Sequence, residues 1–221
     1  MTSFTEENYL KAIYHLSGTE NEVVSTSALA EASSTKAASV TDMLRRLSEK
    51  KFINYTKYQG VTLTPTGQEI ALRIIRRHRI WEVFLVEKLG FKWDEIHEIA
   101  EQLEHINSAE LINRLDAFLE YPSFDPHGDP IPNTEGKLPE LSTTCLTDAL
   151  EGKLMVVRNV SEDSTVFLQY LNRLQIKIGT LVKITERNKF DHSVFVTVND
   201  NEQVMLSKSV TDNLFVTINN S

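Results

Sequence analysis

The sequence predicts a mainly α chain with small β parts, and three observations carry that prediction. Apolar residues keep helical spacing through most of the chain before Tyr121. Five of the six prolines (Pro122, Pro126, Pro130, Pro132 and Pro139) then fall between Tyr121 and Leu141, together with Gly128 and Gly136. Beyond that break, apolar and polar residues alternate in short runs. A stretch so dense in proline is neither helix nor central strand, so 121–141 is a linker or an ordered loop.

A length of 221 residues allows one or two compact domains with a real core, and 41% hydrophobic with 24% charged residues is ordinary for a globular chain. The domain bounds expected are 1–72, 73–140 (which takes in the Pro-rich loop) and 148–221. No apolar run reaches the roughly 18 residues of a membrane helix. Met1 to Leu10 carries Glu6 and Glu7 instead of an apolar signal core. Cys145 is the only cysteine, which excludes an intrachain disulfide and any thiolate cluster. The expectation is a cytoplasmic protein with no membrane partner.

A net charge of −8 speaks at first against a nucleic-acid partner, but its distribution is uneven. Residues 1–80 hold 11 Lys/Arg and 8 Asp/Glu, residues 81–147 hold 4 and 14, and residues 148–221 hold 8 and 9. A mildly basic first third able to face phosphates therefore precedes an acidic middle able to gather cations.

In the first third, Tyr9, Ile13, Tyr14 and Leu16 mark one helix, and Ser25-Thr26-Ser27 caps a short second one carrying Leu29-Ala30. A third, from Lys36 to Lys51, buries Val40, Met43, Leu44 and Leu47 at helical spacing. Ile53 to Tyr58 and Val61 to Thr64 are β segments around the turn Gln59-Gly60. Thr64-Pro65-Thr66-Gly67 opens the next helix, with proline tolerated in its first turn. In the last third, Leu181–Thr185, Ser193–Val198, Val204–Leu206 and Leu214–Ile218 read as strands of a small barrel or sandwich. Gly179, Asn188 and Asp200-Asn201 supply turns.

A short helix, a turn, an amphipathic helix and a hairpin make the winged form of helix-turn-helix. The outer face of its third helix offers Lys36, Ser39, Thr41, Asp42, Arg45 and Arg46. Lys36, Arg45 and Arg46 can neutralise phosphates. Ser39 and Thr41, with the small Ala37 and Ala38, permit close approach to base edges. Lys57, Tyr58 and Gln59 at the hairpin turn can lie along the DNA backbone or a minor groove. A solvated face of an ordinary helical domain is the plainer alternative.

Residues Phe91 to Ile106 read as one helix, on which His97, Glu101, Glu104 and His105 share a face. On the preceding helix His78 and Glu82 are four residues apart. Imidazole and carboxylate ligands without thiolate suit Mn²⁺ or Fe²⁺, with Zn²⁺ possible. One such pair is commonly a solvated helix face; two on adjacent helices point to a metal.

Several short pieces together resemble the diphtheria-toxin-repressor and MntR family of metal-dependent repressors. They are Glu7-Asn8-Tyr9-Leu10, Leu63-Thr64-Pro65-Thr66-Gly67, Arg77-His78-Arg79, Glu104-His105-Ile106 and Asp125-Pro126-His127-Gly128-Asp129-Pro130-Ile131-Pro132, and the likeness covers nearly the whole chain. The resemblance implies an N-terminal winged helix, a helical dimerisation and metal-binding domain, and a C-terminal FeoA-like barrel of SH3 type. It also implies a primary site of His78, Glu101, Glu104 and His105, with Asn8 reaching in from the first helix. Glu101 stands where iron-responsive members carry cysteine, and its harder oxygen favours Mn²⁺. Asn8 replaces an aspartate of manganese sensors, and Lys11 a glutamate that serves a second ion in the short ones. A second site would use Glu82, Asp125 and His127, with His97 and an acid from the barrel, Glu162 or Asp163. The plainer reading of Asp125 and His127 is a turn-forming Asx-Pro loop.

The expectation is thus a homodimeric, Mn²⁺-dependent repressor of metal-uptake genes that binds a palindromic double-stranded operator once the metal has ordered it. An Fe²⁺-dependent repressor of the same kind is the first alternative. A di-metal hydrolase using the same side chains is the second, and a metal-independent scaffold the third.

Overall fold

The computed structural model of the protein describes residues 2–18, 20–199 and 202–219, so the expected Asp200-Asn201 turn lies outside the described residues. Its backbone contacts divide the chain into two units. The first comprises Met1–His78, Leu103–Asn107 and Pro132–Lys137; the second comprises Arg79–Gln102, Ser108–Ile131 and Leu138–Ser221.

The first unit is a winged helix-turn-helix. It contains α1 (Phe4–Ser17), α2 (Thr26–Ala32), α3 (Ala37–Glu49), β1 (Ile53–Thr56), β2 (Gly60–Leu63) and the start of α4 (Pro65–Glu87). A capping box starts α1: Glu6 N donates to Ser3 Oγ, and Ser3 N donates to the Glu6 carboxylate. Ser25 caps α2 by accepting from Ala28 N, as the serine cluster predicts. Leu10, Ile13, Leu29, Val40, Leu44, Leu47, Ile53 and Val61 close one core beneath these elements. Met43 is only partly buried at its edge, and α3 ends at Glu49 because Lys51 takes a positive φ of 61°. The wing pairs Ile53 with Leu63 through Thr56 with Gly60, and Val24 bridges to Val61 beside it. Gly67 is required where α4 begins, since a Cβ there would lie 1.9 Å from the carbonyl oxygen of Phe52.

The second unit joins helices to a sheet. Ile80 and Val83 of α4 pack with Ile112 and Leu115 of α6 (Ala109–Phe118), and with Leu119 and Ile131. Leu85 packs with Ile96 and Ala100. The single helix expected from Phe91 to Ile106 is corrected: α5 spans only His97–Leu103. Gly90, at φ 73°, ends the preceding run, and the Glu95 carboxylate accepts from Lys92 N in a turn before α5 begins. Glu104 and His105 therefore lie beyond the helix rather than on its face. The Pro-rich segment is an ordered loop, with Phe124 bridged to Pro130 and Ile131 buried.

The sheet has the order β3-β8-β4-β5-β6-β7 and is antiparallel throughout. Its strands are β3 (Thr144–Cys145), β4 (Leu154–Val160), β5 (Leu181–Arg187), β6 (Val194–Val198), β7 (Glu202–Leu206) and β8 (Leu214–Ile218). Register shifts at Val157/Asn159 and Ile184/Glu186 curl it around Met155, Val157, Val182, Ile184, Val196 and Leu214. The four strands expected from alternation are present. Strands β3 and β4 are additional, as are α7 (Thr165–Arg173), which buries Leu168 and Leu171, and the short α8 (Lys208–Thr211). The class is the one expected: mainly α with small β parts, a winged helix first and a small SH3-like sheet domain last.

Candidate metal centres

A first cluster lies wholly within the winged-helix unit. The buried stripe of α1, Leu10 and Ile13, extends backwards by three and four residues to Glu6 and Glu7, and all four are buried. Glu7 Oε2 lies 3.0 Å from His105 Nδ1 and accepts from Arg77 Nη2 at 3.1 Å. Phe4 stacks on the His105 ring with centroids 4.5 Å apart. One turn along the same face, Lys11 Nζ donates to Glu104 at 2.9 Å (Oε1) and 2.7 Å (Oε2). Glu104 is fully buried, and its Oε2 is also 2.6 Å from His78 Nδ1. Burial alone pushes the Glu104 carboxyl up, but the bonds and charges of His78 and Lys11 outweigh it and hold the group below the ordinary carboxylate range.

The structure thus brings His78, Glu104 and His105 into one unit, with Asn8 on the first helix of the same unit. Asn8 is exposed on α1, and its neighbour Glu7 points inward instead. Glu101 lies on α5, half-buried, with Oε1 3.7 Å from His97 Nε2.

A second cluster lies wholly within the other unit. Glu82, Asp125 and His127 are buried, and each offers a ligand atom within 4.8 Å of the others. His127 Nε2 is 2.8 Å from the carbonyl oxygen of Trp93, which turns Nδ1 towards Glu82 Oε1 at 3.7 Å. His97 Nδ1 lies 3.9 Å from Glu82 Oε1 and 3.1 Å from Asp163 Oδ2. Of the two candidate acids beside the sheet, Asp163 reaches the cluster, whereas Glu162 Oε1 accepts from Ser164 N. The plainer reading of Asp125 holds for one oxygen only. Its Oδ1 accepts from the backbone of His127 and Asp129 in an Asx turn, while Oδ2 sits 3.4 Å from Arg79 Nε.

Burial, then repulsion from Glu82 and Asp129, pushes the Asp125 carboxyl up to about 7 despite Arg79 and His127. Burial lowers His127, but its bond to Glu82 and the charges of Glu82 and Asp125 carry it up to about 9. Protons here offset an excess of carboxylate, and a divalent cation can do the same. The Glu7–His105 and His78–Glu104 pairs and the second cluster present oxygen and imidazole nitrogen, a donor set that fits Mn²⁺, Fe²⁺ or Zn²⁺.

The outer face of α3 is open. Lys36, Ala37, Ala38, Ser39, Asp42, Arg45 and Arg46 are exposed, while Thr41 is half-buried and donates to Ala37 O. Arg45 is 3.5 Å from Asp42, leaving the Arg46 side turned to solvent. At the tip of the wing Tyr58 is 92% exposed, and Lys57 Nζ lies 4.8 Å from its ring centroid. No helix among the described residues is long and apolar enough to cross a membrane.

A winged helix with an open, basic recognition helix and two buried carboxylate–imidazole clusters defines a metal-binding, DNA-binding class of protein. Three sequence families match in series. They are the iron dependent repressor N-terminal DNA binding domain over residues 1–61, the iron dependent repressor metal binding and dimerisation domain over 64–133, and the FeoA domain over 144–218. The HTH-type transcriptional regulator MntR of Geobacillus thermodenitrificans is 35% identical over 115 residues, covering 52% of this chain and 80% of the relative. An uncharacterized HTH-type transcriptional regulator of Methanocaldococcus jannaschii is 38% identical over 114 residues, covering 52% and 91%. A solved manganese-dependent transcriptional repressor in complex with manganese superposes with a TM-score of 0.89 at 33% identity, over 96% of this chain and 99% of that one. The chain belongs to the iron-dependent repressor family that includes the MntR regulators. That membership sets aside the hydrolase and scaffold readings, because members are transcriptional repressors and not enzymes.

Proposed function

We propose that this protein is a cytoplasmic, homodimeric repressor whose binding to a palindromic operator upstream of metal-uptake genes depends on Mn²⁺. The carrying observation is that Glu7, on the first helix of the DNA-binding unit, meets His105 from a distant stretch of the same unit. His78, Glu104 and His105, with Glu7, are the residues assigned to a primary ion within the first unit. Glu82, Asp125, His127, His97 and Asp163 are assigned to a second. When bound, a divalent ion supplies positive charge that draws these carboxylates together. Glu7 then ties α1 to residues 103–107, and α1 packs against Val24, Leu29 and Val61 beneath the helix-turn-helix, so its position governs how α3 is presented. All-oxygen and nitrogen ligation favours Mn²⁺ over softer ions, with Fe²⁺ and Zn²⁺ able to use the same donors.

Three domains serve this reading: 1–72 for DNA, 73–140 for dimerisation and metal, and 148–221 as the FeoA-like module. Exposed Leu111 and Phe118 on α6, and Tyr121 just after it, give apolar surface for a second copy. The test is fluorescence anisotropy on duplex DNA selected by the protein in Mn²⁺. Wild type should bind at least about tenfold tighter with Mn²⁺ than with chelator, and Glu104→Ala should lose that difference while melting cooperatively. A Glu104→Ala protein with an intact Mn²⁺ response contradicts the assignment.

A further inference from the structure

Lys11 bonds both oxygens of a buried candidate ligand. Its ammonium takes Glu104 Oε1 at 2.9 Å and Oε2 at 2.7 Å, and its side chain is only 13% exposed. With His78 also on Oε2 at 2.6 Å, the carboxylate has hydrogen-bonding partners on both oxygens. An oxygen that ligates a divalent ion cannot keep an ammonium in the same place. The ion would sit about 2.0–2.6 Å from that oxygen, and two cations at such range repel strongly in a water-poor pocket.

We infer that Lys11 is a tethered competitor for the metal. Its ammonium occupies the cation position at Glu104, and a divalent ion must displace it to bind. The inference rests on the primary-site reading above. Lysine suits this role: a compact point charge on a flexible four-carbon stem can leave the pocket for solvent without moving the backbone of α1. Arg77, held at 3.1 Å by Glu7, has no such freedom, because its planar group also reaches Asn107 Oδ1 at 3.4 Å. The consequence is a raised metal threshold. The repressor responds only when the free ion outcompetes a charge that is covalently always present. Glu104 also stays paired in the meantime, so the DNA-binding unit avoids the cost of a buried lone carboxylate.

Two measurements on the full-length protein test this. In wild type, amine labelling of Lys11 followed by mass spectrometry should rise several-fold when Mn²⁺ is added, while Lys50, paired with Glu6 and 43% exposed, serves as the internal standard. Unchanged Lys11 labelling, with native mass spectrometry counting the ion as bound, overturns the inference. In parallel, K11M and K11Q should each bind the Glu104-dependent Mn²⁺ at least tenfold more tightly than wild type. Equal or weaker affinity in both, with cooperative melting retained, also overturns it. E104Q separates the two levels of the argument. If it binds as many Mn²⁺ ions as wild type with equal affinity, the primary-site reading fails and this inference with it. If it loses an ion while Lys11 is indifferent, only the competitor fails.

Discussion

Glu7 Oε2 on the first helix lies 3.0 Å from Nδ1 of His105, ninety-eight residues further along the chain. On the proposed assignment, an ion bound here would have a direct hold on the first helix of the DNA-binding unit through this pairing. Glu7→Ala should therefore weaken Mn²⁺ binding by about tenfold or more, whereas Asn8→Ala, on the exposed side of the same turn, should leave it unchanged. Isothermal titration of both variants decides between them. A silent Glu7→Ala beside a weakened Asn8→Ala would restore Asn8 as the ligand.

At the second cluster the sign of the pH dependence follows from two raised groups. Asp125 moves from 3.8 to about 7 and His127 from 6.5 to about 9, so these two groups together hold more protons in the folded chain than in the unfolded one between about pH 4 and pH 9. The stability from Asp125 is complete below its ordinary value and is lost as pH rises through about 7; that from His127 is lost through about 9. Glu6 and Glu104, both lowered, act in the opposite sense, but only near and below their ordinary 4.5. Protein treated with chelator should thus melt at progressively lower temperature from pH 6 to pH 9. A melting temperature that rises over that range contradicts the assignment. Because ligation needs both groups deprotonated, Mn²⁺ binding at pH 7.5 should release about one proton per ion at this cluster, read from titrations in buffers of different ionisation enthalpy.

Asp163 and Glu162 are adjacent, yet only Asp163 faces His97, at 3.1 Å. Asp163→Ala should lower the occupancy of the second ion about tenfold or more at limiting Mn²⁺, and Glu162→Ala should not. Native mass spectrometry of the two variants reads the difference directly, and equal loss in both would place the ligand elsewhere.

Much of this was legible in the residues themselves. Helical spacing and the Gln59-Gly60 turn located the winged helix, because its core is local in sequence and α1 and α3 each bury a periodic stripe. His78, Glu104 and His105 drew attention by residue type and by the family resemblance, while the shared helix face expected for Glu104 and His105 is not formed, since α5 ends at Leu103. Glu7 did not, although the Leu10–Ile13 stripe carried backwards points to it; an acidic side chain in a first helical turn normally serves the helix dipole at the surface. The break before His97 was hidden because Phe91–Ile96 keeps apolar periodicity while the Glu95 carboxylate closes a turn on Lys92. The choice of Asp163 over Glu162 depends on how Ser164 caps α7, a helix that alternation in the flanking strands obscured.

Arg46 is exposed on α3, beside the Arg45–Asp42 pair in sequence. If it meets a phosphate, Arg46→Ala should weaken DNA binding across all sequences and make the log–log salt slope shallower by about 0.9. Anisotropy titrations at several salt concentrations check this, and an unchanged slope removes Arg46 from the footprint.

The central claim is a linkage between one ion and DNA, and linkage is reciprocal. The most direct measurement is the Mn²⁺ affinity of the protein alone and of the protein saturated with its selected duplex. Mn²⁺ should bind more tightly to the DNA complex, by the same factor per ion by which Mn²⁺ tightens DNA binding. A Mn²⁺ affinity that is identical with and without the duplex would contradict it.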